Sequence, residues 1–403
     1  MDKPADSTDR YARKKESIIA AAAGIMNRRG VKGMTLADVA ESVGLITTSV
    51  TYYFKKKEDL AMACFLASIA RFDALIDAAL LQSDPRERLK DFITLYLELN
   101  RRIRENQEAP MAMFNDIRAL KEPHLSAVLE PYNAMFRKMR TLFAAPGYEW
   151  LDRKMATARA HILMEQIFWS VAWLVRYDRE DYPRIASRMF DILSNGLAAA
   201  NATWNPAPLC FAARGEDKGD EIFLTAATRL INQRGYRGAS VEKISAQLNV
   251  TKGSFYHHND AKDELVIACF ERSFGIMRRA QSAAMNEGGS QWDKLCAAAA
   301  ALVEYQVSDD GPLLRTSAIS ALPESIRQDT LNHWNRASDR FSAMISDGIA
   351  EGSIRAVDPV VAAQLLNATL NASATLMTVV RGAEKSEAAA LYAKPMLMGL
   401  FSK

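Results

Sequence analysis

Residues 17–65 read SIIAAAAGIMNRRGVKGMTLADVAESVGLITTSVTYYFKKKEDLAMACF, and residues 222–270 read IFLTAATRLINQRGYRGASVEKISAQLNVTKGSFYHHNDAKDELVIACF. The second stretch repeats the first, without a gap, at an offset of 205. Of the 49 aligned positions 12 are identical, including Asn27/Asn232, Gly30/Gly235, Gly33/Gly238, Ser49/Ser254, Lys57/Lys262 and the run Ala63-Cys64-Phe65 against Ala268-Cys269-Phe270. Composition alone gives roughly one identity in fifteen to twenty positions. The offset also exceeds the ~20–50 residues of solenoid or propeller units. The chain therefore carries two copies of one domain.

Inside each copy the apolar residues fall at helical spacing. Ile18, Ala21, Ala22 and Ile25, like Phe223, Ala226, Ala227 and Leu230, occupy i, i+3, i+4 and i+7 of a first helix that ends before Gly30 or Gly235. Thr35 and Ser240 then stand as N-caps of a second helix of about eight residues. It stops at Gly44 and Asn249, residue types that tolerate positive φ. A third short helix begins within three residues. Two short helices on a tight turn, braced by a preceding helix, form a helix-turn-helix, whose last helix fits a DNA major groove. In copy one that helix reads Thr47-Thr48-Ser49-Val50-Thr51-Tyr52-Tyr53, with hydroxyls suited to base edges and phosphates, and Phe54 is expected in the core. Copy two reads Thr251-Lys252-Gly253-Ser254-Phe255-Tyr256-His257-His258, with Thr251 as cap and Phe255 inward.

Charge agrees with that reading. Residues 9–57 carry +6 and residues 214–262 carry +2, leaving −5 on the remainder of a chain whose total is +3. Positive charge gathers on the repeated segments, the footprint of a phosphate-binding surface. The 403 residues, 49% hydrophobic and 25% charged, suit a globular protein of two or more domains. The polar N-terminus carries no secretory signal and no apolar run approaches the ~20 residues that span a bilayer, so a cytoplasmic protein is expected. Cys64, Cys210, Cys269 and Cys296 form no C-x-x-C pair, and Cys64 and Cys269 read as buried small hydrophobes. No nucleophile-elbow, zinc-protease, P-loop or dinucleotide motif occurs, which argues against an enzyme, a cofactor or a metal.

At V-T-K-G-S-F-Y-H-H followed by Lys262-Asp263-Glu264-Leu265, and at L-I-T-T-S-V-T-Y-Y-F-K-K-K-E-D-L in copy one, the chain resembles the tetracycline-repressor (TetR) family of bacterial transcription regulators. The resemblance covers about 50 residues at the start of each half. It implies an all-α protein of two tandem units, each an N-terminal three-helix DNA-binding domain followed by a helical ligand-binding and dimerisation bundle. Members of the family usually repress their target and leave DNA on binding a small molecule. Copy one departs at Thr51, where copy two has the family's tyrosine as Tyr256, and at apolar Ile46, where copy two has the cap Thr251, so either Thr47 caps that helix or it frays. Copy two departs at Asn259, in place of the family's phenylalanine. Two unlike recognition helices imply an operator of double-stranded DNA with non-identical half-sites.

The expected domains are 9–57 and 219–262 for DNA binding, 58–201 and 263–403 for the helical bundles, and 202–218 for a linker containing Pro206, Pro208 and Gly215. Base and phosphate contacts are expected from Thr35, Thr47, Thr48, Ser49, Tyr52, Tyr53, Lys55 and Lys57, and from Ser240, Thr251, Lys252, Gly253, Ser254, Tyr256, His257, His258 and Lys262. The arm Arg10, Arg13, Lys14, Lys15 either adds minor-groove contacts or is a solvated tail. Helical patterns follow at 58–80, 110–120, 124–144, 150–177, 182–201, 262–286, 291–308, 311–320, 324–351, 358–381 and 384–401. The small and apolar residues ending each half, such as Leu197-Ala198-Ala199-Ala200 and 368–377, suit helix packing, so the halves are expected to dock as an intrachain pseudo-dimer, with a homo-dimer of chains also open. A small apolar or aromatic effector is expected near Met113, Phe114, His161, Glu165, Phe168, Trp169 and Trp173, and near Tyr305, His333, Trp334, Asn367 and Asn371; the same residues also suit plain core. His161 and Glu165, four apart, suit a mutual hydrogen bond better than a metal. A helical sensor or adaptor with one or both DNA-binding units lost is the alternative.

Overall fold

The computed structural model describes residues 5–211, 218–235, 262–322 and 324–403, and among them there is no β-strand, only the isolated bridge Ala198–Ile354. The chain forms two compact units that do not coincide with the two repeats: one comprises 1–77 and 99–138, the other 78–98 and 139–403.

The first unit opens with α1 (Ala5–Gly33), α2 (Leu36–Ser42), α3 (Thr47–Tyr53) and α4 (Lys57–Ala79). Gly30, at φ 67°, kinks α1, which then runs on to Gly33, past the end expected before Gly30. Ile18, Ala22, Ile25, Val39, Ala40, Val50 and Phe54 are buried, so α1, α2 and α3 all turn apolar stripes into the core, where each large side chain contributes about 1.5–3 kcal/mol. α5 (Pro85–Arg104) starts on a proline, whose missing N–H costs nothing at the first helical position. It crosses from the second unit into the first. The segment expected as helix at 110–120 is a 3-10 turn, Phe114–Ala119, and α6 (His124–Arg140) follows. Asn27 fastens that turn to α1: its Nδ2 donates to Met111 O at 2.8 Å and its Oδ1 accepts from Met113 N at 2.9 Å. Ser68 on α4 adds a bond from Ala112 N at 2.8 Å.

The second unit contains α7 (Arg153–Trp173) and α8 (Tyr182–Asn195), then α9 (Lys218–Arg234), α10 (Lys262–Asn286), α11 (Gln291–Val307), α12 (Glu324–Glu351) and α13 (Pro359–Ser373). It ends in three short pieces, α14 (Leu376–Val379), α15 (Ala388–Leu391) and α16 (Ala393–Met398). Two expected long helices are thus corrected. The helix at 182–201 stops at Asn195 because Gly196 takes φ 71°, and the pattern at 384–401 breaks at Tyr392, ahead of Pro395. The brace seen in the first unit recurs here: Asn232 Nδ2 donates to Leu313 O at 2.9 Å, its Oδ1 accepts from Arg315 N at 3.0 Å, and Ser273 Oγ accepts from Leu314 N at 2.9 Å. It holds the 3-10 turn Thr316–Ala321, which replaces the helix expected at 311–320. Phe223, Ala226, Ala227 and Leu230 pack with Leu265, Cys269 and Phe270 in one core.

Within this unit α7 lies against α13, and α8 touches α13 as well. The chain ends of the two halves clasp each other reciprocally. Leu197 N donates to Leu397 O and Leu400 N donates to Leu193 O, both at 2.7 Å. Each chain end thus donates one backbone bond to the other and accepts one from it. Gly196 and Gly399 make the approach possible, since a Cβ on Gly196 would stand 2.4 Å from Leu397 O and one on Gly399 2.5 Å from Ser194 O. Ion pairs Arg355–Asp191 (2.8 Å) and Arg188–Asp358 flank the clasp.

Candidate nucleic-acid interface and effector site

In the first headpiece Thr35 caps α2, its Oγ1 accepting from Asp38 N at 3.1 Å and donating to Asp38 Oδ2 at 2.7 Å. That hydroxyl bond holds the Asp38 carboxyl below its ordinary pKa. Gly44, at φ 64°, turns the chain, with Leu45 N bonded to Ala40 O. Ile46 takes the cap position of α3 with no side-chain bond and 71% exposure, so Thr47 begins the helix without capping it. A seven-residue helix is marginal by itself, and α3 is anchored by fully buried Val50 and by Phe54 just beyond it.

What α3 leaves outward is Thr47, Thr48 and Tyr52, the last 75% exposed, with Ser49, Thr51 and Tyr53 half-buried. Thr35, Lys55 and Lys56 are exposed as well. Lys57 is partly engaged, since its Nζ donates to Lys32 O at 3.1 Å and so helps close the end of α1. The basic arm is neither extended nor loose: Arg10, Arg13, Lys14 and Lys15 ride on the first turns of α1, and Lys15 Nζ sits 5.7 Å over the Phe54 ring. Those turns also bring Tyr11, which sequence reasoning passed over, to 4.8 Å from Tyr53 and 6.1 Å from Tyr52. A lone aromatic amid charged residues was its only signal. Behind the face, Asp59 on α4 bonds His124 Nε2 at 2.8 Å, and that bond lowers the Asp59 pKa.

In copy two Ser240, Thr251, Lys252, Gly253, Ser254, Tyr256, His257 and His258 lie outside the described residues, and Lys262 is the first residue of α10.

The candidate effector residues separate into two places. Met113 and Phe114 belong to the first unit, where Phe114 is edge-on to Phe72 and Tyr132. His161, Glu165, Phe168, Trp169 and Trp173 all lie on α7 in the second. There His161 Nδ1 meets Tyr392 OH at 2.6 Å, and burial, opposed by Glu165 and reinforced by Arg315, brings its pKa down to about 4. Glu165 accepts from Arg315 Nη2 and from Asn371 Nδ2, both at 2.6 Å. Burial works against that carboxylate, yet Arg315 and its other donors outweigh it and hold its pKa below the ordinary value. So these two residues, expected to bond to each other, each reach across to the second half. Trp169 does the same, its Nε1 donating to Gln364 Oε1 at 3.0 Å and its ring lying 5.4 Å from Trp334.

In the second half Tyr305 OH accepts from the buried Arg272 at 2.9 Å, and exposed His333 lies 5.8 Å from Phe274. Asn367 Nδ2 donates to Ser338 Oγ at 2.6 Å, and Asn371 Oδ1 accepts from Thr316 N at 2.9 Å. The buried polar atoms without a partner in this half include Trp334 Nε1, Asn367 Oδ1 and Gln281 Oε1. Gln281 also lines an open groove of about 320 Å³ between α10 and α12, with Met285, Arg340, Met344 and Asp347. None of the sequence-named residues lines that groove. Among the described residues no cluster of three His, Cys, Asp or Glu could hold a metal ion, and no helix is long and apolar enough to cross a membrane. Burial pushes the thiols of the repeat mates Cys64 and Cys269 up to about 12 and about 11.

Comparison with known proteins supplies the name of this architecture. The sequence profile described as "Bacterial regulatory proteins, tetR family" matches residues 18–64 and again 223–269, and that described as "Tetracyclin repressor-like, C-terminal domain" matches 288–375. The chain belongs to the TetR family. It is a transcriptional regulator with the family's helix-turn-helix DNA-binding module present twice. Among relatives of this TetR-family chain, the Transposon Tn10 TetC protein of Escherichia coli is 25% identical over 149 residues, 36% of this chain and 74% of that protein. The HTH-type transcriptional repressor DhaR of Mycobacterium sp. (strain GP1) is 28% identical over 142 residues, 34% of this chain and 67% of that protein. A TetR-family regulator from Bordetella parapertussis 12822, of known crystal structure, is 18% identical with a TM-score of 0.38, covering 44% of this chain and 92% of its own.

Proposed function

We propose that one chain of this regulator occupies its operator as a pseudo-dimer, represses transcription there, and is released by a small aromatic or apolar effector. The observation that carries the pairing is the reciprocal clasp of Leu197 with Leu397 and Leu400 with Leu193, reinforced by α7 against α13. It does inside one chain what a two-fold interface does between two. The outward hydroxyls and tyrosines of α3 beside Lys55 and Lys56 support groove and phosphate contact by the first headpiece. Unlike recognition sequences, Thr47–Tyr53 against 251–258, support an operator whose half-sites differ.

The effector reading rests on the neighbourhood of Trp169, Trp334 and Phe274. Each buried polar atom left unpaired costs about 1–3 kcal/mol, and an aromatic molecule bearing hydrogen-bonding groups would repay that at Trp334 Nε1, Asn367 Oδ1 and Gln281 Oε1. Selection of bound sequences from random duplex DNA tests the operator half of the proposal. An asymmetric site is expected; a perfect palindrome contradicts it, and absence of binding at low salt favours a helical sensor without DNA binding.

A further inference from the structure

The two halves differ where α7 packs against α13, and the difference is one of charge. α7 and α13 are each N-capped by an aspartate, Asp152 and Asp358, and setting those caps in register pairs Glu165 with Asn371. The two residues do face each other, Asn371 Nδ2 donating to Glu165 Oε2 at 2.6 Å. The second difference lies on the segments braced by Asn27 and Asn232. The backbone N–H that Asn27 accepts belongs to Met113, and the one that Asn232 accepts belongs to Arg315. Arg315 is the residue that pairs with Glu165, in a bridge whose side chains are only 20% and 12% exposed. So the first half carries glutamate and methionine where the second carries asparagine and arginine.

Resting on the reading that the halves pair within one chain, we propose that Glu165, Arg315 and Asn371 form a key that admits the first half only to the second. Two first halves docked alike would set Glu165 against Glu165 with Met113 in place of the cation, and like carboxylates removed from water repel without compensation. Two second halves would set Asn371 against Asn371 and leave both Arg315 side chains without a carboxylate. Only the mixed pairing joins anion to cation. The key therefore guards a duplicated chain against pairing of like halves, since rejection of the wrong partner is set by charges left unpaired there.

The test uses the full chain. Sedimentation velocity on the wild type is expected to give one species of 44.7 kDa across the concentration range. E165N/R315M, which makes the halves alike at both positions, is expected to associate chain to chain at concentrations at least tenfold lower than the wild type. E165R/R315E, which reverses the pair, is expected to return to the wild-type behaviour. Should E165N/R315M fail to fold, E165Q/R315Q carries the same expectation with less change of volume. The key is refuted if the neutralised variant sediments as the wild type does, or if the reversed pair associates as readily as the neutralised one. A wild type that is itself a dimer of chains overturns the intrachain pairing together with the key, and that failure is visible before any substitution is made.

Discussion

Tyr52 stands 75% exposed on α3, with Tyr11 and Tyr53 beside it. Its place in a helix-turn-helix was legible from spacing, as was the inward turn of Phe54, which is buried as expected. Its company was not: Tyr11 reaches Tyr52 and Tyr53 only because the basic arm is the start of α1. Tyr52→Ala is expected to weaken operator binding by about 1 kcal/mol, the low end for a base contact, while leaving the melting temperature nearly unchanged because the ring is so exposed; fluorescence anisotropy and thermal melts check the two halves of that statement. Lys55→Ala should lower the slope of log K against log salt by about 1, a plain phosphate contact. His161 gives a pH dependence. Its pKa is about 4 in the fold against 6.5 when free, so between those values the unfolded chain binds a proton that the native chain does not. Stability is therefore expected to fall as pH drops from 6.5 towards 4, by roughly 3 kcal/mol in full. His161→Asn should flatten that decline between pH 6.5 and 5, above the ordinary range of Glu165; melts in which the slope is unaltered contradict the assignment.

At the scale of elements, helix existence followed from apolar periodicity, and the misjudged ends share a physical cause. Helices expected at 110–120 and 311–320 are 3-10 turns held by Asn27 and Asn232, a tertiary constraint that no local propensity records. The helix expected to reach 201 ends at Asn195 because its successor, Gly196, must pass against Leu397 O. Gly196→Ala is expected to cost more than about 2 kcal/mol, since it adds a backbone clash to the strain of positive φ. Gly352→Ala is the control: it has φ 82° but open space around it, and should cost only about 1 kcal/mol. Chemical denaturation distinguishes the two, and equal losses would mean that the clasp contributes nothing. The pairing of Glu165 with Arg315 was illegible for the same reason, since the two lie 150 residues apart in the chain.

For the whole molecule, duplication was the most readable feature and its consequence the least. The repeat at offset 205 announces two headpieces, but the ungapped similarity ends at Phe65 and Phe270, well before the docking helices, and at Glu165 and Arg315 the halves are complementary instead of alike. An intrachain pseudo-dimer requires a chain of 44.7 kDa to do alone what a pair of identical subunits would do together. Mass photometry of the protein on its selected operator reads this directly. One chain per duplex is the predicted result, unchanged as protein is added in moderate excess; two chains per duplex as the smallest stable complex would contradict it.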